Sequence, residues 1–265
     1  MTLKEEFIIL GYTKDDYDAI RNSYPISSIK DETLIEKVRD NYSFLLKLGY
    51  KREEIIKITK SLPEIYGYST RTIEQKMKDM ISLGYTKEEV IRMTKNSPSI
   101  YSYSIETIKK KIDDIISLGY TRKEVIKMTK GLSQIYGYSI EGIKQKIDDM
   151  ISLGYTRKEV INMTKDLPAI YGYSKKNMKQ KKDFYDSIGL HELVSVDPKQ
   201  LIQSVNLSYA RYCFYKSQGI DIDMNNYRKL FVRENQFQKS NGITKQELIE
   251  KYDYDKYEEQ RKMKL

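Results

Sequence analysis

Four stretches of this chain repeat one another at a fixed step. LGYKREEIIKITKSLPEIYGYS, LGYTKEEVIRMTKNSPSIYSYS, LGYTRKEVIKMTKGLSQIYGYS and LGYTRKEVINMTKDLPAIYGYS follow in order, and their glycines, Gly49, Gly84, Gly119 and Gly154, recur every 35 residues. Self-similarity at a period of about 20–50 residues marks a stacked array of supersecondary units. Such an array offers an extended surface built from equivalent positions, and its function is more often binding than catalysis.

The interior of one copy predicts two helices. In the copy that starts at Gly84, Thr86 precedes Glu89 by three residues and the apolar Val90 and Ile91 follow, which is a capping box. The same pair recurs as Thr121 with Glu124, Thr156 with Glu159 and, near the C-terminus, Thr244 with Glu247. A short helix should start after each threonine and stop before Pro98, which has no N–H to continue the ladder. Ile100 and Tyr101 then turn inward, and Ser104 caps a second, longer helix. Its isoleucines, Ile108, Ile112, Ile115 and Ile116, share one face. Leu118 closes the helix, and Gly119 ends it in a left-handed cap. Strand signals are absent, so the fold class is all-α: a right- or left-handed α-solenoid of helix-turn-helix repeats, curved into a superhelix with a concave groove.

The ends of the array depart from the period. Leu10-Gly11-Tyr12-Thr13 restates the marker 38 residues before Gly49. Ser187-Ile188-Gly189 restates it again, and Gly219 and Gly242 follow as shortened echoes. The expected organisation is a divergent N-terminal repeat or cap over 1–48, four regular repeats over 49–188, and shortened repeats with a C-terminal cap or tail over 189–265. Terminal units must face water on one side, so divergence is expected there. The last stretch, EKYDYDKYEEQRKMKL, reads as a final helix or a frayed end.

The order of parts in LGYTKEEVIRMTKNSPSIYSYSIETIKKKIDDIISLG resembles the mitochondrial transcription termination factor family, mTERF. Shared features are a leucine-glycine marker, a polar cap, a short helix, a proline ahead of an isoleucine, a serine cap and a lysine-rich second helix. The likeness runs from Leu10 to Gly189, with an echo to Gly242. It implies triplets of two α-helices and a 3₁₀ turn, with a basic inner face that holds a duplex or RNA. This chain departs from the family pattern in its longer period, in the tyrosines of YGYS and in Ser133, which replaces the proline of the third copy. No arginine-rich leader precedes the repeats, so a bacterial or phage-borne relative in the cytoplasm is expected.

Charge points the same way. Lysine and arginine number 47 against 38 aspartate and glutamate, a net charge of +9, which favours an anionic partner. Lys57, Arg92, Lys127 and Asn162 are equivalent by the repeat, as are Lys60, Lys95, Lys130 and Lys165 three residues on. Stacked, the two sets would form a basic stripe suited to a phosphate backbone; alternatively, each lysine simply complements the C-terminal end of its own helix dipole. The next residues, Ser61, Asn96, Gly131 and Asp166, differ in every copy and are candidate base readers or unconstrained loop positions. Lys179, Lys181 and Lys182 make the end of the fourth copy the most basic surface expected. The paired tyrosines, Tyr66 and Tyr68 with their copies, are candidates for base stacking or for the core.

Catalysis finds no support. His191 is the only histidine and Cys213 the only cysteine, which excludes a histidine cluster, a cysteine zinc site and an internal disulfide. No cofactor motif is present, and no apolar run approaches the roughly 20 residues of a membrane helix. The expected function is non-enzymatic nucleic-acid binding, DNA or RNA, in the service of transcription. The alternatives are a repeat adaptor for an acidic protein segment and a structural spacer.

Overall fold

Each 35-residue copy folds as two helices joined by a short 3₁₀ turn. The computed structural model describes residues 1–262, and no strand occurs among the described residues. By compactness the chain divides into two units, Met1–Ile140 and Glu141 onward. The first holds α1 (Leu3–Ile9), α2 (Lys14–Arg21), α3 (Asp31–Leu48), α4 (Arg52–Ser61), α5 (Thr70–Ser82), α6 (Lys87–Asn96), α7 (Ile105–Ser117) and α8 (Arg122–Gly131). The second holds α9 (Ile140–Ser152), α10 (Arg157–Asp166), α11 (Lys175–Ser187), α12 (Leu193–Val196), α13 (Val205–Ser217), α14 (Glu234–Asn241), α15 (Lys245–Lys251) and α16 (Tyr254–Lys262). The final stretch is therefore helical as far as Lys262, and Met263, Lys264 and Leu265 lie outside the described residues.

Local chemistry sets the helix ends. The Thr86 Oγ1 accepts from the Glu89 N–H at 3.2 Å, and the Glu89 carboxylate accepts from the Thr86 N–H at 2.9 Å. Capping boxes of the same form start α8, α10 and α15. Ser69, Ser104 and Ser174 cap the second helices α5, α7 and α11. Gly119 follows α7 with φ of +102°, a backbone conformation that costs a glycine little and a residue with a Cβ considerably more.

The proline is not what stops the first helix. Leu62, Ser97, Leu132 and Leu167, the residues that follow α4, α6, α8 and α10, share one conformation, with φ between −143° and −132° and ψ between 70° and 80°. Leu132 adopts it although Ser133 stands where the other copies have proline. The turn after it, Ser133–Gly137, is still 3₁₀. Ser133 is buried, and its Oγ donates to the Met93 carbonyl on α6 at 3.2 Å. Burial of the isoleucine and tyrosine two and three residues further on draws the chain inward in every copy: Ile65 and Tyr66, Ile100 and Tyr101, Ile135 and Tyr136, Ile170 and Tyr171 are all buried.

Helices of 10 and 13 residues are too short to persist alone, so neighbours must hold them. In the first unit α4 packs on α6, and α6 on α8. Polar contacts fix this stacking. The Tyr50 hydroxyl bonds to the Thr94 Oγ1 at 2.5 Å and to the Tyr101 hydroxyl at 2.8 Å; both partners belong to the next copy. Tyr85 bonds in the same way to Thr129 and Tyr136, and Tyr12 to Thr59 and Tyr66. Each threonine also donates back to its own helix, Thr94 to the Val90 carbonyl at 2.9 Å. The first tyrosine of each YGYS pair is thus core, not an exposed stacking surface.

A second row joins the long helices to the following turn. Asn41, Lys76 and Lys111 hold the same repeat position and donate to the carbonyls of Tyr68 (2.9 Å), Tyr103 (3.0 Å) and Tyr138 (2.5 Å). Within the second unit Lys146 bonds to the Tyr173 carbonyl in the same way. These lysines satisfy backbone acceptors at the turns, where no helix ladder serves them.

The second unit ends in an aromatic cluster. Phe184 is buried and meets Tyr185, Tyr209, Tyr212 and Tyr254 at ring separations of 5.3 to 6.2 Å. In the earlier copies this position of the long helix carries aspartate, Asp114 and Asp149. The acid gives way where α13 and α16 pack on the helix face.

Candidate nucleic-acid interface

The stacking of α4, α6 and α8 places equivalent cations side by side. Lys57, Arg92 and Lys127 are exposed, one on each helix. Lys57 and Arg92 make no ion pair among the described residues. The row begins at α4: one copy earlier the two lysine positions are held by Ala19, on α2, and Asn22, the residue that follows it.

The constant lysines have a different environment. Lys95 Nζ lies 2.8 Å from Glu54 Oε1, and Lys130 Nζ lies 2.8 Å from Glu89 Oε1. Lys60 is paired with Asp16. In each case the acid is the capping residue of the preceding copy's first helix, and the lysine reaches it from the last turn of the next. The lysine side chains remain 49%, 31% and 27% exposed for Lys60, Lys95 and Lys130, so their outer surfaces stay open to a ligand. Their recurrence has a scaffold role that dipole complementation does not describe.

The carboxylates register this pairing. Lys130 and then the Thr86 N–H hold the Glu89 carboxyl below the usual carboxylate range. For Glu54 the Lys51 N–H contributes most and Lys95 next. Asp16 is lowered chiefly by its hydrogen bond with Lys60.

At the end of the fourth copy the expected basic surface is largely neutralised. Lys179 pairs with Asp183 at 2.6 Å and Lys182 with Asp186 at 2.5 Å, both one turn along α11. The Lys181 ammonium is committed to the scaffold: its Nζ donates to the Leu201 carbonyl and lies 5.0 Å from the Tyr173 ring, and the side chain is buried. It holds the position of Lys76, Lys111 and Lys146 and does their work. Burial lowers the pKa of its ammonium. In the same unit Lys165 is half-buried near the end of α10.

Ser61, Asn96, Gly131 and Asp166 are the last residues of α4, α6, α8 and α10, and all four are exposed. They therefore follow directly after the lysine set, at an accessible helix end. Sequence reasoning missed the tyrosine–threonine contacts. The signal was available in the threonine at 59, 94, 129 and 164, constant between an apolar residue and the constant lysine, and wholly buried in the structure.

Marker, cap, short helix, 3₁₀ turn and long helix form the pattern that the mTERF family model matches over residues 13–152, just over half of the chain. The chain belongs to the mTERF family. The family is one of nucleic-acid-binding helical-repeat proteins, and the triplet of two α-helices and a 3₁₀ turn is present in this mTERF protein copy by copy. No curated protein matches the chain. Among the described residues no helix is long and apolar enough to cross a membrane.

Proposed function

We propose that this mTERF protein binds a nucleic acid through the cation row of its first helices. Lys57, Arg92 and Lys127 contact phosphates directly, and Lys60, Lys95 and Lys130 add charge behind them while tying the copies together. In the second unit Lys165 belongs to the same repeat position, and Lys179 and Lys182, each paired with an aspartate one turn along α11, play a lesser part. The variable residues Ser61, Asn96, Gly131 and Asp166 stand beside the row, where a base edge would be read. Occupancy of the nucleic acid, without chemistry, regulates transcription.

One observation carries this reading: successive first helices present an exposed cation at one repeat position, in a chain with net charge of +9. A phosphate backbone is a periodic anion, and neutralising it releases counterions. The test is charge reversal at exposed, unpaired members. Lys57→Glu with Arg92→Glu should weaken binding to a mixed-sequence duplex or RNA and leave thermal unfolding unchanged. Lys95 and Lys130 are poorer targets, because a glutamate there would face Glu54 or Glu89 and disturb the stacking. Unchanged affinity in the double variant would remove the row. Binding of an acidic peptide with no nucleic-acid binding would favour the adaptor reading.

A further inference from the structure

Arg211 occupies, in the shortened repeat, the place that Lys76, Lys111, Lys146 and Lys181 hold in the longer ones. Like them it reaches the following turn: its Nη1 donates to the carbonyls of Leu230 at 2.8 Å and Val232 at 2.7 Å, and to Gln203 Oε1 at 3.4 Å. A lysine ammonium completes that task with one nitrogen. The guanidinium brings two further nitrogens, and the task does not use them. Arg211 is 1% exposed, and its Nε is buried with no hydrogen-bond partner. The guanidinium stacks on the Phe237 ring, 4.6 Å from its centroid; a buried donor left without an acceptor still costs about 1–3 kcal/mol, a cost that an acceptor from outside the chain would relieve.

Arg211 lines a cleft of about 470 Å³ in the second unit. Lys199, Arg233 and Lys245 line it as well, and Glu234 is the one carboxylate among the lining residues. Glu234 is 2.7 Å from Lys245 Nζ, which leaves the cleft with a cationic excess. Two helices begin at its wall: Ser204 is the N-cap of α13, its Oγ accepting from the Leu207 N–H, and Arg233 is the N-cap of α14 and supplies no side-chain cap. Helix N-termini offer unpaired N–H groups and the positive end of the dipole. Ile202, 63% exposed, and Leu207 give the cleft an apolar side.

We infer that this cleft binds a phosphoryl group, with the Arg211 guanidinium as its buried donor and Lys199 and Arg233 as its outer clamp. An arginine fork suits a tetrahedral oxyanion better than an ammonium does. The group comes either from a free phosphomonoester or from the phosphorylated end of a nucleic acid.

The experiment is a titration of the full chain with inorganic phosphate at constant ionic strength, read by the backbone amide resonances, with chloride as control. Saturable shifts are expected at the amides of Ser204, Leu207 and Glu234. Arg211→Lys restores the arrangement of the longer repeats and should fold; Lys199→Ala with Arg233→Ala alters only the outer cleft. Each should weaken phosphate binding about tenfold or more, as expected when a charge-assisted hydrogen bond is removed. Adenosine monophosphate, a 5′-phosphorylated oligonucleotide and its 5′-hydroxyl counterpart then separate the two sources. No saturable shift at these amides, or an equal response in both variants and the parent, overturns the inference. Because the titration contains no nucleic acid, the cleft stands or falls separately from the cation row: phosphate binding with no oligonucleotide binding would retain the cleft and reject the proposed function.

Discussion

Glu89 serves two helices at once. Its Oε2 accepts from the Thr86 N–H at the start of α6, and its Oε1 holds Lys130 from the last turn of α8 at 2.8 Å. Glu54 does the same for the start of α4 and for Lys95. A motif that reads in sequence as a local helix cap is therefore also a tie between neighbouring copies.

Stability should fall at acid pH for this reason. The carboxyls of Asp16, Glu54 and Glu89 are depressed in the folded state, so their contribution is complete above their unfolded pKa and is lost as pH falls through the folded value. Thermal midpoints should be flat from neutral pH down to about pH 5 and fall below about pH 4. Glu89→Gln should be less stable than the parent at neutral pH, with a shallower acid decline. An identical acid profile in that variant would remove Glu89 from the account.

The buried hydroxyl contacts should dominate over surface ion pairs. Tyr85→Phe removes the group that joins Thr129 and Tyr136, leaving both without that partner. Urea unfolding should show a destabilisation of about 1–3 kcal/mol. Removing the exposed Lys78–Glu74 pair by Lys78→Ala should cost under about 0.5 kcal/mol.

Alkali should act on the same tyrosines with the opposite sign. Burial pushes the Tyr12 hydroxyl up to about 12 and also raises those of Tyr50 and Tyr85. Groups raised in the folded state contribute stability below the unfolded value and lose it as pH rises through the folded one. Unfolding midpoints should fall above about pH 10, and tyrosinate absorbance should rise in part together with loss of helix signal.

Much of this architecture is legible in the sequence because caps and markers act locally. Thr86 with Glu89, Ser104 and Gly119 do in the structure what their chemistry implies in the sequence. The parts that are not legible join one copy to the next. Nothing adjacent to Lys95 in sequence announces Glu54, forty-one residues earlier, and nothing around Lys181 announces that its ammonium is enclosed beneath the turn at Leu201. A lysine at a constant position suggests a ligand, and packing shows that the constancy also serves the scaffold. Pro98 reads in the sequence as the helix stop; Ser133 shows that the buried isoleucine and tyrosine set the turn.

Lys181 supplies a control for function. Lys181→Met removes the donor to the Leu201 carbonyl and should destabilise the second unit by about 1–3 kcal/mol. Nucleic-acid affinity below the unfolding transition should stay within about twofold of the parent, because the ammonium is committed to the Leu201 carbonyl. A large drop in affinity in a fully folded variant would contradict its placement as scaffold.

The most direct measurement is the salt dependence of nucleic-acid binding. Fluorescence anisotropy with a labelled mixed-sequence duplex and a labelled single-stranded RNA should be recorded between about 50 and 200 mM salt. At least one should bind at low salt and weaken steeply, with log K linear in log salt. Lys57→Glu with Arg92→Glu should reduce that slope by about 2, one for each phosphate that the two cations neutralise. Failure of both ligands to bind at low salt, or a slope unchanged by the double variant, would contradict the account.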